Sequence, residues 1–148
     1  MKKEFVLRGQ TESGKTEKLS FSGHKMGYAY RLVEFDVYPS TGIGSNKYEI
    51  CATITASKTA VQPTDPNFKD EGLIATAYVT INHSPLYPAS RLDVINDTFM
   101  ITQDLILMVE ETDGGRPVNW QCRFESVKMS GPEETVTNYK QFMISDGS

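Results

Sequence analysis

The chain is poor in the residues that build metal and disulfide sites. It holds two cysteines, Cys51 and Cys122, and two histidines, His24 and His83. That is too few cysteines for a disulfide scaffold, and the wide spacing matches no zinc-binding pattern. Both cysteines lie in strand-like segments and are read as reduced core thiols. The one tryptophan, Trp120, sits two residues before the second cysteine, which departs from the immunoglobulin arrangement. No apolar run reaches membrane-spanning length. The charged start Met1-Lys2-Lys3-Glu4 is not followed by an apolar core, so no signal peptide is expected. The sequons Asn82-His83-Ser84 and Asn96-Asp97-Thr98 are accordingly read as chance matches. No helical periodicity occurs before residue 130, and there is no internal repeat or low-complexity tract.

What the chain does have is alternation. In Val118–Met129, Val118, Trp120, Cys122 and Phe124 point one way while Asn119, Gln121, Arg123 and Glu125 point the other. A period of two with one apolar and one polar face suits a half-buried antiparallel strand. Phe99–Glu110 behaves similarly, and the intervening Asp113-Gly114-Gly115 supplies turn residues, so the two segments read as a hairpin. The same pattern marks Lys3–Arg8, Lys18–Ser22, Tyr28–Tyr38, Tyr48–Lys58 and Leu73–Ile81. Turn-rich loops at 39–46, 61–72 and 82–90 connect them. Ser130-Gly131-Pro132-Glu133-Glu134 has the cap, the first-turn proline and the acidic first turn of a helix. Val136, Tyr139 and Phe142–Met143 then follow near helical spacing. The pattern predicts one all-β domain over 1–148: an antiparallel β-sandwich of jelly-roll type with about seven or eight strands and a short C-terminal helix over about 132–143. The order of the strands is left open, and with it the choice between a jelly roll and an immunoglobulin-like sandwich.

Charge is unevenly spread. Residues 1–31 carry seven Lys/Arg and three Asp/Glu, a net +4, while the rest carries eight and sixteen, a net −8. A basic leading segment on an acidic body suits either a guarded edge strand or head-to-tail docking on a neighbour. The overall charge of −4 argues against general nucleic-acid affinity.

One motif demands weighing. Gly9-Gln10-Thr11-Glu12-Ser13-Gly14-Lys15-Thr16 satisfies the phosphate-loop pattern in full and follows a strand-like segment. Such a loop works because a helix of several turns begins at the lysine. Here Thr16-Glu17-Lys18-Leu19-Ser20-Phe21-Ser22 alternates like a strand, so Glu12–Lys15 reads instead as the turn between strands one and two. Asp65, Asn67, Asp70 and Glu71 gather oxygen donors in one loop but match no EF-hand, and Asp93, Asn96 and Asp97 read likewise as a solvated stretch. Gly42-Ile43-Gly44 lacks the third glycine and the helix of a dinucleotide site. The tyrosines Tyr28, Tyr30, Tyr38, Tyr48, Tyr78, Tyr87 and Tyr139 are read chiefly as core and interface residues. No catalytic, cofactor-binding or metal residue is assigned. The chain is expected not to be an enzyme and to need no cofactor.

The segment Ile101-Thr102-Gln103-Asp104-Leu105, with Asn119–Ser130 and Val136-Thr137-Asn138-Tyr139-Lys140, resembles small jelly-roll-like β-sandwich structural proteins of bacteriophage virions. The resemblance covers mainly residues 98–142 and rests on a Thr-Gln-Asp-Leu strand, a polar-aromatic strand ending in Val-Lys-Met, and a short terminal helix. It implies a capsid, decoration or vertex protein located in the virion. Its partners would be copies of itself and other virion proteins, with neither nucleic acid nor membrane. The alternatives are a carbohydrate- or host-receptor-binding sandwich using the three loops, and third a nucleotide binder at Gly9–Thr16.

Overall fold

A computed structural model describes residues 3–21, 27–56, 58–83, 89–133, 136–137 and 144. The alternating segments form eight strands: β1 (Glu4–Thr11), β2 (Thr16–Leu19), β3 (Tyr28–Pro39), β4 (Tyr48–Thr55), β5 (Leu73–Ile81), β6 (Ser90–Ile95), β7 (Leu105–Glu111) and β8 (Val118–Lys128). They make two antiparallel sheets, ordered β1-β8-β3 and β2-β7-β4-β5-β6. The pairs β1–β8, β2–β7 and β4–β5 nest inside one another. That order arises when the first half of a chain is laid antiparallel on the second and the ribbon is wound into a sandwich, the jelly roll. The fourth nested pair, β3–β6, is not made. β6 joins β5 at the sheet edge, and an Arg91–Asp36 ion pair ties it to β3.

The inner faces are the apolar ones read from the period of two. Phe5, Leu32 and Phe124 align across the three-stranded sheet, as do Leu7, Phe35 and Cys122. Ile50, Ala52, Ile54, Leu105, Leu107 and Val109 face them from the other sheet and are buried. Phe124 stacks on Phe5 at 5.3 Å and meets Phe21 edge-on at 5.1 Å. β4 is buried on both faces. Its outward Thr53 hydroxyl donates to the Val61 carbonyl at 2.7 Å, and its Thr55 hydroxyl accepts from the Val61 amide at 3.3 Å. These bonds seat the start of the 61–72 loop on the outside of the sheet.

The expected hairpin between the last two strands is not formed. β7 belongs to the five-stranded sheet and β8 to the three-stranded one, so residues 112–117 are a crossover between layers. Period two reports which face a residue takes, not which strand lies beside it. The crossover is built on Glu111, whose side chain is fully buried. Its carboxylate accepts from the Asp113 amide at 2.5 Å and from Arg116 Nε at 3.1 Å. The Arg116 guanidinium lies 4.0 Å over the Tyr48 ring and also donates to the Lys47 carbonyl. Gly115 takes the left-handed φ of +69° that the corner needs.

The first crossover docks on the last. The Glu111 amide donates to Ser13 Oγ at 2.8 Å, and the Gly14 amide donates to the Val109 carbonyl at 2.8 Å. At the chain's end Gly131, Pro132, Glu133, Val136 and Thr137 are helical, and Ser130 Oγ accepts from the Glu133 amide at 3.4 Å as a cap. The remainder of the expected 132–143 helix, with Tyr139 and Phe142–Met143, lies outside the described residues.

Removing Arg116 leaves a buried carboxylate without its cation. Arg116→Ala is expected to cost about 3 kcal/mol in urea denaturation, and a loss below about 1 kcal/mol would show that the corner does not depend on the pair.

Candidate functional site

The phosphate-loop-like segment is absorbed by the fold. Gly9 and Thr11 lie in β1, and a strand rather than a helix begins at Thr16. A Cβ on Gly9 would meet Trp120 Cζ2 at 2.8 Å. Thr11 Oγ1 accepts from Trp120 Nε1 at 2.9 Å. Gly14 has a φ of +79°, and the Lys15 amide closes the turn by donating to the Glu12 carbonyl at 3.1 Å. The glycines thus answer to an indole ring and a corner, and the Gly14 and Lys15 amides donate within the fold instead of facing a common ligand.

A concavity with an apolar rim lies on the outer face of the five-stranded sheet. Cys51, Tyr78 and Leu92 form one cross-strand row of its floor, and Thr76 and Val94 belong to the next. Pro63, Pro66 and Phe68 of the 61–72 loop form its wall, enclosing about 420 Å³. Phe68, Leu92 and Val94 are 64%, 66% and 52% exposed, so three large apolar side chains stand open at this edge. At the polar end Tyr78 donates to Glu49 Oε2 at 2.7 Å, and Thr112 donates to the other carboxylate oxygen. These hydrogen bonds from Thr112 and Tyr78 hold the Glu49 carboxyl below its ordinary range. The bond to Glu49, reinforced by burial, pushes the Tyr78 hydroxyl up to about 12.

Other residues weighed in the sequence have local duties. Asn67 Oδ1 accepts from the Lys69 amide and Asp70 Oδ1 from the Gly72 amide, closing turns in the loop. Asn96 Oδ1 accepts from both the amide and the hydroxyl of Thr98. Gly42 takes a φ of +60° in a turn closed by the Asn46 amide at 2.8 Å. His83 Nε2 meets the Asn46 carbonyl at 2.8 Å, which joins the 39–46 connection to the start of the 82–90 connection. The 61–72 loop lies over the sheet face, and residues 84–88 of the 82–90 connection lie outside the described residues. His24, Tyr87 and Tyr139 lie outside the described residues. Of the other tyrosines, Tyr48 is buried, Tyr30 packs on Phe5 and Phe21, and Tyr38 is exposed on the three-stranded sheet. Among the described residues no three His, Cys, Asp or Glu side chains gather as a metal would require.

The sequence reading missed the Phe68–Leu92–Val94 rim. Its signal is present in Leu92 and Val94, two apart in a polar stretch, but the sequence reading assigns no strand to that stretch. The cysteines are free and both buried, on different sheets. Burial, with the negative Glu110 and Glu49 beside it, pushes the Cys51 thiol up to about 11, and burial alone pushes Cys122 higher still.

Two outcomes follow from this geometry. Gly9→Ala is expected to cost on the order of 1–3 kcal/mol in denaturant melts, whereas Lys15→Ala should stay within about 0.5 kcal/mol. Equal effects would mean that the indole does not set the residue at position 9. Neither thiol should react with a disulfide reagent at pH 8 in the native protein, and both should react once it is unfolded. Rapid native labelling would contradict the burial of Cys51. In comparison with known proteins, the chain matches no family model, and no curated protein is significantly similar to it.

Proposed function

We propose that the chain is a non-enzymatic structural protein of a bacteriophage virion, a capsid, decoration or vertex component that works through subunit contacts. One observation carries this reading: the wound sandwich keeps exposed apolar side chains at both of its lateral sides. Val6, 42% exposed, lies on β1 at one side, and Phe68, Leu92 and Val94 lie beside β6 at the other. Two distinct lateral surfaces are what a repeating subunit needs to meet neighbours on either hand. The jelly-roll order, with three of its four nested pairs formed, and the resemblance of residues 98–142 to virion sandwiches support the same reading.

Carbohydrate or host-receptor binding is the second reading. It is favoured by the cleft under the 61–72 loop, where a tyrosine ring and a carboxylate lie side by side as sugar recognition requires.

Light scattering across a concentration series separates them. The structural reading predicts a mass that rises to a defined oligomer. A strict monomer that is stabilised against heat by an oligosaccharide, with the effect lost in Tyr78→Ala, would overturn it in favour of the second.

A further inference from the structure

The outer edge of β1 is an open template. β8 pairs with one side of β1, and no described strand pairs with the other. The Ser126 amide donates to the Lys3 carbonyl at 2.8 Å, which sets the phase of the ladder. Odd-numbered residues of β1 therefore bond to β8, and Glu4, Val6, Arg8 and Gln10 turn their backbone N–H and C=O groups outward. The side chains of these four residues also share the solvent face of the sheet. The edge is untwisted by any bulge, since the β1–β8 register runs unbroken from Glu4 to Thr11.

Charged residues on an edge ordinarily guard against pairing. Here their signs alternate in a way that suits self-pairing. Two copies of β1, antiparallel about a two-fold axis through Val6, would set Glu4 opposite Arg8 of the second copy and Arg8 opposite its Glu4. The two Val6 side chains would meet between these pairs. On the inner face Phe5 would meet Leu7 of the second copy, and both residues are only half-buried in the single chain. Shifting the strands by two residues in one direction sets Val6 against Arg8. Shifting by two further sets Arg8 against Arg8. The ion-pair register is therefore distinct from its neighbours. Arg8 has no ion-pair partner among the described residues, while Glu4 lies 3.5 Å from Arg123 and has an oxygen left to accept from a second cation.

A second feature lies at the same place. Between β1 and β2 lies a cleft of about 320 Å³ lined by Leu7, Gly9, Leu19 and Trp120 and by the polar Arg8, Gln10, Glu17 and Lys18. A strand added to β1 would close over it.

We infer that two copies of this chain associate through β1, antiparallel about Val6, into a continuous six-stranded sheet. This names the partner and the contact of the assembly role proposed above and rests on that reading. Six backbone hydrogen bonds, two at each of three outward residue pairs, would carry the contact. The paired charges would select the partner and the register.

Charge exchange tests it. Arg8→Glu sets carboxylate against carboxylate at both charge pairs, and Glu4→Arg sets guanidinium against guanidinium at both. Each variant alone is expected to dimerise at least about tenfold more weakly than the wild type. An equimolar mixture should recover a dimer, because each contact then joins a carboxylate to a guanidinium. Oxidation supplies a second readout. Cα atoms of a hydrogen-bonded pair lie about 5.5 Å apart, within disulfide reach. Val6→Cys should therefore form a disulfide-linked dimer, whereas Gln10→Cys, on the same face but distant from its counterpart, should not. Cross-linking through position 10 and not position 6 would overturn the register. A wild type that self-associates, with charge variants that associate equally well and no link through position 6, would overturn this contact and leave the assembly role standing. A wild type that stays monomeric and shows no link through position 6 would overturn both.

Discussion

A buried carboxylate at one corner holds the architecture together. When β1 pairs with β8 and β2 with β7, the β1–β2 and β7–β8 connections must cross between the sheets side by side. Both crossings bring backbone groups out of strand pairing within a confined space, and each needs a partner. Glu111 supplies several: its carboxylate takes the Asp113 amide and the Arg116 guanidinium, and its amide reaches the Ser13 hydroxyl of the other crossing. Arg116 extends the lock to the Tyr48 ring at the start of β4. Three connections that are far apart in the chain are thereby fixed to one another. The desolvation of such a pair makes it a poor source of net stability, and its value lies in specifying which corner fits which.

With that corner fixed, the remaining surfaces acquire their character. The three-stranded sheet presents a polar outer face in which Arg123 lies between Glu4 and Glu34, and Arg31 pairs with Glu125. The five-stranded sheet is covered in its middle by the 61–72 loop and left apolar at its β6 edge. Ser13, Glu111, Arg116 and the Gly14 and Lys15 amides at the two crossings are occupied by structural bonds, so a motif with every letter of a phosphate loop serves as a turn. At the lateral edges, where strands end their pairing, Val6 on one side and Leu92 and Val94 on the other remain exposed.

Much of this fold was legible because period two is a strong signal wherever one face is buried. Val118, Trp120, Cys122 and Phe124 were separable from Asn119, Gln121, Arg123 and Glu125 without coordinates, and Ser130 announced its cap. Pairing was not legible in the same way. Asp113-Gly114-Gly115 looks alike whether it returns the chain within a sheet or carries it across the core, so β7 and β8 read as a hairpin although they lie in different layers. β6 escaped notice because most of its residues are exposed on both sides, so no buried face imposed a pattern on Arg91–Val94. The cleft was invisible for another reason: Phe68 gains its meaning only when the 61–72 loop folds back over β4 through Thr53 and Thr55.

Nested pairing is the claim on which these surfaces depend, and cross-strand backbone proton contacts measured by NMR in solution test it most directly. The account predicts contacts joining β1 to β8 along Glu4–Thr11 and Val118–Glu125, contacts joining β2 to β7, and none between β7 and β8. A continuous ladder of contacts between β7 and β8 would restore a simple hairpin and contradict the wound sandwich.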